Sequence, residues 1–306
     1  MRTTLVAALS VLLFGCGADR ETPQISFIAL GDAPYGDPAD VFPPFRALIG
    51  EINEAAPPLV IHVGDTHGRY TCSDELLADI RGLMNAIDAP LLYTPGDNEW
   101  TDCGRTEVGE FEPLERLDHI RATYFAEDRT LGAAPAPVET QRARGYPENA
   151  RLMIDGVAFI TAHVVGSNNN FNPDEPSAVE EFMARNEANE AWLRESFAAL
   201  GEADAFVVAL HAEMFIPQSG FGNGWWSWSP FRVMGVTLGQ LSSEHEKPVL
   251  LLYGDSHQHK AFQPFPDHRP FLHAIEVYGH PDIKAIEIAV RPGADEPFRV
   301  SRTLSP

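Results

Sequence analysis

Four apolar runs in this chain stop at the same dipeptide. ISFIALGD ends at Asp32, PPLVIHVGD at Asp65, PLLYTPGD at Asp97 and PVLLLYGD at Asp255. Each is of strand length and nearly continuous in aliphatic residues, the pattern of a strand buried on both faces. Glycine lets the chain leave a strand sharply. An aspartate at that exit is a common turn residue, because its side chain hydrogen-bonds nearby backbone. One Gly-Asp exit is explained that way; four are not. Between the first three runs, VFPPFRALIGEINEA and SDELLADIRGLMNAI carry apolar residues at helical spacing. Strand, helix, strand, helix, strand predicts parallel strands with right-handed crossovers. Their carboxyl ends then share one sheet edge, where α/β proteins build sites. Asp32, Asp65 and Asp97 are spaced 33 and 32 residues apart, about one strand–helix unit each, so they are expected to converge.

Converging carboxylates repel one another unless a cation sits among them. The loops concerned hold only Arg69 and Arg105, so a metal is the economical answer. Two further segments supply softer ligands. ADAFVVALHAEMF is a strand ending at His211, and YGDSHQH places His257 two residues after Asp255. Neutral imidazole suits zinc, iron and manganese. The chain has 306 residues, 44% of them hydrophobic, enough for one large α/β domain or two small ones. A net charge of -22 repels the phosphate backbone of nucleic acid, which argues against a DNA or RNA partner.

The first residues read as a leader. MRTTLVAALSVLLFGC has one early positive charge and an apolar run too short to span a bilayer. Leu13-Phe14-Gly15-Cys16 resembles the lipobox of bacterial lipoproteins, with Phe14 an unusual residue in it. The expectation is a signal peptide over residues 1–15, lipidation at Cys16, a tether over 16–24 and a single domain over 25–306. It places the protein outside the cytoplasm, bound to a membrane only through a lipid anchor, with plain periplasmic or extracellular secretion as the alternative. Cys72 and Cys103 then remain as an even pair in an oxidising compartment.

The ordered landmarks Gly31-Asp32-Ala33-Pro34-Tyr35, Gly64-Asp65, Gly96-Asp97-Asn98-Glu99, His211 and Gly254-Asp255-Ser256-His257 resemble those of the calcineurin-like metallophosphoesterases. There the pattern is D-x-H, GD, GNH(E/D), a lone His, then GHxH. NEANEAWLRESFAAL is similar to that family's helix between the third and fourth landmarks, and IEVYGHPDIKAIEIAV to its late hairpin. The resemblance implies a four-layer α/β/β/α sandwich of two mixed sheets flanked by helices, with the metal site at the carboxyl edge of the strands. It implies two metals bridged by Asp65, one held by Asp32, Asp65 and His257, the other by Asp65, Asp97, His211 and Asp255. It also implies hydrolysis of small phosphate mono- or diesters by a metal-bound hydroxide.

The departures are specific. Pro34 stands where D-x-H has its histidine, and Tyr35 or His67 is the candidate replacement. Tyrosine is a ligand in the loosely similar purple acid phosphatases, though after their second Asp. Asp97 replaces an Asn, and Asp255 the first His of GHxH. Asn98 replaces the His that contacts substrate, and Asn does not titrate. Four Asp and two His make a harder, more anionic set than the family norm, favouring manganese, magnesium or iron over zinc, divalent or mixed-valence, with one position weak. Asn98, His67 and His163 are the candidate catalytic residues, His163 because its strand VAFITAH ends near substrate in the family. Asn168 and Asn169 are candidate oxygen-binding donors or ordinary turn residues, and Trp225, Trp226 and Trp228 a candidate aromatic rim or a core-pinned loop. Cys72 and Cys103 lie 7 and 6 residues past Asp65 and Asp97. If those strands are neighbours, a Cys72–Cys103 disulfide is expected, two free thiols being the alternative. A second reading is a non-catalytic lipoprotein that binds a metal or a phosphate ligand, motivated by Pro34 and Asn98. A metallo-β-lactamase-like hydrolase has only His257-Gln258-His259 in its favour.

Overall fold

All four Gly-Asp runs are strands, and the sequence around them caps the intervening helices. A computed structural model describes residues 25–68, 70–215 and 229–306. The leader, Cys16 and its tether, Arg69, and Trp225, Trp226 and Trp228 lie outside the described residues. The order is β1 (Ile25–Leu30), α1 (Pro38–Ala55), β2 (Val60–His62), α2 (Asp74–Met84), β3 (Leu91–Tyr93), α3 (Pro113–Tyr124), β4 (Glu139–Gln141), β5 (Tyr146–Ile154), β6 (Val157–Thr161), α4 (Pro176–Ala199), β7 (Ala205–Ala209), α5 (Arg232–His245), β8 (Val249–Tyr253), β9 (Lys260–Phe262), β10 (Leu272–Glu276), β11 (Ala285–Val290) and β12 (Phe298–Leu304).

Local chemistry sets the helix starts. Asp37 accepts a hydrogen bond from the Ala39 N–H at 2.9 Å, and Pro38 occupies the first turn of α1, where its missing N–H is harmless. This start lies three residues ahead of the sequence expectation. Phe42, Phe45, Leu48, Ile49 and Ile52 form the buried stripe of α1. Ser73 caps α2 by accepting from the Leu76 N–H at 3.3 Å.

The strands form two sheets, β12-β11-β1-β2-β3 and β4-β5-β6-β7-β8-β10-β9. Strands β1, β2 and β3 are parallel, as are β6, β7, β8 and β10. Alternation along β1 divides the layers. Ile28 and Leu30 face α1–α3, packing with Phe45, Leu48, Ile80 and Ile120. Phe27 and Ala29 face the second sheet, packing with Phe159, Val207 and Leu250. Phe27 meets Phe159 edge to face at 5.2 Å between ring centres. On the far side of the second sheet, Trp192 and Phe197 of α4 and Leu238 of α5 cover Phe206, Val208 and Leu251. The result is the expected α/β/β/α sandwich of two mixed sheets flanked by helices. One expectation fails. The segment IEVYGHPDIKAIEIAV is no hairpin, because β10 pairs with β8 and β9 while β11 pairs with β1 and β12 in the other sheet. No helix among the described residues is long and apolar enough to cross a membrane.

Candidate metal centre

Parallel pairing places the exits of β1, β2, β3, β7 and β8 at one edge, and six candidate ligands leave from them. Asp32, Asp65 and His257 bring ligand atoms within 4.8 Å of one another, and Asp65, Asp97 and His211 form a second such group. Asp65 belongs to both. Asp255 stands beside these groups rather than in either; its backbone N–H donates to both Asp32 carboxylate oxygens at 3.2 Å. Its own Oδ2 accepts from the Glu213 N–H at 2.9 Å. Behind it, Lys260 sits between the carboxylates of Glu213 and Glu276.

Four of the six residues hold left-handed backbone: Asp32 at φ 49°, Asp65 at 53°, Asp255 at 78° and His257 at 61°. Such a conformation is uncommon for residues other than glycine and costs of order 1–3 kcal/mol each. The surrounding structure must overdetermine it. Much of that determination comes from Glu99, a fully buried carboxylate. Its Oε1 accepts from the Thr66 N–H and hydroxyl, and its Oε2 from the Gly96 N–H at 2.7 Å and the Asp65 N–H at 3.2 Å. Glu99 therefore ties the β2 exit to the β3 exit. His62, also fully buried, ties β2 to the β1 exit: its Nε2–H donates to the Ala33 carbonyl at 2.7 Å and its Nδ1 accepts from the Gly64 N–H.

The two ligand histidines are oriented alike. His211 Nδ1 donates to the Val63 carbonyl at 2.8 Å, and His257 Nδ1 to the His280 carbonyl at 3.0 Å. A carbonyl cannot donate, so each Nδ1 carries the proton and each Nε2 turns a lone pair toward carboxylates. His211 Nε2 lies 2.9 Å from Asp97 Oδ1 and 3.3 Å from Asp65 Oδ1; His257 Nε2 lies 3.5 Å from Asp32 Oδ1. Both His211 Nε2 and Asp97 Oδ1 are buried without a hydrogen-bond donor among the described residues. Lone pair against anion in a buried site calls for a cation between them. The titration pattern agrees. Burial, with crowding by Asp255 and Asp97, pushes Asp32 up to about 8 despite His211. Burial and then Asp97 push Asp255 up to about 7. Burial opposes charge on His211, yet Asp65, Asp97 and Asp32 together raise its pKa well above the ordinary imidazole range. The residues fit a dication, or two, in place of those protons.

The remaining candidates divide. Asn98 donates both its backbone N–H (3.1 Å) and its side-chain amide (2.6 Å) to Asp65, which explains a residue that cannot titrate in this position. Tyr35 packs edge-on against the His257 ring, with ring centres 4.9 Å apart. His67 belongs to neither ligand group. It is 3% exposed, and neither ring nitrogen has a hydrogen-bond partner among the described residues. It lines a small cavity with Asn98, Asp102 and Arg105. The expectation of a substrate-facing His163 is corrected: its side chain is fully buried, with Nδ1 2.9 Å from Glu148 Oε1 and the ring against Trp100. Glu148 also pairs with Arg121 at 2.6 Å, so His163 belongs to an internal ion-pair network. His259 turns away, its Nδ1 on the Glu276 carbonyl at 2.7 Å and its ring stacked on Tyr278.

Asn168 and Asn169 belong to a loop whose four residues Ser167–Asn170 all have positive φ, between 44° and 60°. Fully buried Arg185 of α4 holds it, donating to Asn169 Oδ1 at 2.6 Å, the Asn169 carbonyl at 3.0 Å and the His163 carbonyl at 2.9 Å. The loop abuts the cluster. A Cβ on Gly166 would sit 2.5 Å from Asp97 Oδ1 and 2.6 Å from Asp255 Oδ1, so only glycine fits there. Ser167 Oγ lies 2.9 Å from Asp97 Oδ2 and 2.7 Å from Asp102 Oδ1. Cys72 and Cys103 are bonded, with Cα atoms 5.7 Å apart, linking the loops after β2 and β3 as expected.

No family model matches the chain, and no curated protein matches it. Solved structures do. A dimetal phosphatase from Danio rerio aligns over 92% of this chain and 98% of its own, at 11% identity and a TM-score of 0.50. A 5'-nucleotidase from Candida albicans aligns over 92% of this chain and 50% of its own, at 13% identity and a TM-score of 0.46. The first likeness establishes a shared fold.

Proposed function

We propose that this chain is a metal-dependent hydrolase of small phosphate esters whose two ion positions share Asp65. The carrying observation is the pair of ligand groups with Asp65 common to both, each completed by a histidine whose Nε2 is left free by a backbone carbonyl on Nδ1. In this reading Asp32, Asp65 and His257 hold one ion, and Asp65, Asp97 and His211 the other, with Asp255 beside them. Bound ions there supply an activated water nucleophile and neutralise charge on the phosphoryl oxygens. The oxygen-rich set favours manganese, magnesium or iron over zinc. Asn98 fixes the orientation of the shared carboxylate through two hydrogen bonds. Arg105, half-exposed and paired with Asp102 at 2.7 Å, lines the small cavity of His67 and Asn98 and is the cation there that phosphoryl oxygens would share. His67, unpaired beside Asn98, is the group available for proton transfer to the leaving oxygen. The fold shared with a dimetal phosphatase supports the reading, and the net charge of -22 favours small esters over nucleic acid.

The test is hydrolysis of nitrophenyl phosphate and bis-nitrophenyl phosphate across manganese, magnesium, iron and zinc, with Asp65→Asn beside the parent. Metal-dependent turnover that Asp65→Asn abolishes is expected. Turnover that survives the substitution, or metal binding with no hydrolysis of either ester, contradicts the proposal, the latter favouring a binding protein.

A further inference from the structure

A cavity of about 550 Å³ opens beside the cluster, between the 101–105 turn, the start of α3 and the start of α4. Its size is that of a site for a small organic ligand. Ser167 belongs to both places, lining the cavity while its hydroxyl lies 2.9 Å from Asp97. A molecule in the cavity therefore sits one side chain away from a candidate metal ligand. The lining pairs apolar surface (Leu114, Phe171) with amide and acid groups. Its charges are Asp102, Glu112, Glu175 and one cation, Arg105. Arg105 is already matched by Asp102 at 2.7 Å. Glu112 caps α3, its Oε2 accepting from the Glu115 N–H at 2.7 Å, and Glu175 is left without a cationic partner among the described lining residues.

We infer that this cavity is the leaving-group subsite of the phosphoester hydrolysis proposed above, and that it selects esters of neutral or cationic alcohols against leaving groups carrying a further phosphate or a carboxylate. The inference rests on that reading of the cluster and adds the substrate class to it. Arg105 and its partner Asp102 border both this cavity and the smaller one holding His67 and Asn98, so this pair stands where the reacting phosphate and its leaving group would meet. The Glu175 carboxylate, and the Glu112 oxygen that the cap leaves free, accept hydrogen bonds only, which suits hydroxyl or ammonium donors on the bound alcohol. A second anionic group placed among them meets like charge at close range, partly shielded by solvent.

The experiment compares kcat/KM for phosphoethanolamine, glycerol phosphate and phosphoglycerate, whose leaving groups are cationic, neutral and anionic. The expected order places phosphoglycerate about tenfold below glycerol phosphate at low salt, with the gap closing as salt rises. Glu175 is exposed and its side chain makes no capping bond at the start of α4, so it can be changed without loosening the fold. Glu175→Lys is expected to raise the phosphoglycerate-to-glycerol phosphate ratio about tenfold, and Glu175→Gln about threefold. Glu296→Lys, in the β11–β12 turn at the opposite edge of the sheet, makes the same change in net charge and is expected to leave the ratio alone. Hydrolysis of nitrophenyl phosphate with a ratio that Glu175→Lys does not move, or that Glu296→Lys moves equally, overturns the subsite and leaves the phosphoesterase reading intact. No hydrolysis of any ester with any of the metals overturns both.

Discussion

Glu99→Gln separates a residue that positions the centre from one that merely fills space. The carboxylate accepts four hydrogen bonds in a fully buried position, from Thr66 N–H, the Thr66 hydroxyl, Gly96 N–H and Asp65 N–H. Glutamine has the same shape, but one of its two oxygens becomes an NH₂ that cannot accept. The least damaging orientation puts that NH₂ toward Thr66, where the hydroxyl can reverse and accept from it. The Thr66 N–H is then left buried and unpaired, which costs about 1–3 kcal/mol. The two bonds kept by the amide oxygen lose their charge assistance, which adds about 1 kcal/mol. The total is about 3 kcal/mol, close to 5 °C in Tm for a folded region of this length. Because Asp65 is what Glu99 holds, metal affinity is expected to fall at least tenfold as well. Urea denaturation gives the first quantity and calorimetric titration with manganese the second. A loss under about 1 kcal/mol with unchanged metal affinity refutes the positioning argument.

Other outcomes follow from the same geometry. Replacing both cysteines, Cys72→Ser with Cys103→Ser, opens a cross-link spanning 31 residues and is expected to lower stability by about 3.7 kcal/mol, or about 6 °C in Tm, read by thermal denaturation. Glu148 is buried, which opposes its charge, but the hydrogen bond and charge of His163 together with Arg121 bring its pKa down from 4.5 to about 2. A depressed carboxyl pKa contributes stability that is complete above 4.5 and lost as pH falls through about 2; here it amounts to about 3 kcal/mol. Glu148→Gln is therefore expected to weaken the fold at pH 7 and to flatten the dependence of stability on pH over that acid window, measured by denaturant titration at each pH. At the centre, burial and neighbouring carboxylates push Asp32 up to about 8 and Asp255 up to about 7. Metal must displace those protons and the one the carboxylates hold on His211, so affinity is expected to rise steeply with pH between about 6 and 8, with proton release detectable by calorimetry in buffers of different ionisation enthalpy.

The ligand positions were legible because each rests on a local rule repeated along the chain. A buried parallel strand reads as an apolar run, and its carboxyl end is fixed by topology, so Asp32, Asp65, Asp97, His211 and His257 could be placed at one edge before any contact was known. What holds them there was not legible. Glu99 closes the third landmark in the sequence, but what it holds is hidden there, since its partners Thr66 and Asp65 lie 33 and 34 residues away. Nothing in the sequence marks Arg185, one helical turn after its partner Glu181, as the fully buried residue that organises the 166–170 loop. Nothing in VYGHPDIK between β10 and β11 says that the chain changes sheets there; both flanking runs are apolar, and either pairing satisfies the pattern. His163 misled for the related reason that a strand end marks only the edge: whether the side chain faces the cleft or the interior depends on Glu148, on a strand separated from it by a turn.

The central claim is that Asp65 is shared by two bound ions. Anomalous diffraction from a crystal of the manganese-loaded protein tests it most directly. The expected map has two peaks per chain, both within coordination reach of the Asp65 carboxylate, one also reached by His257 Nε2 and the other by His211 Nε2. A map with no peak at the β-strand edge, or with its peaks away from Asp65, contradicts the account.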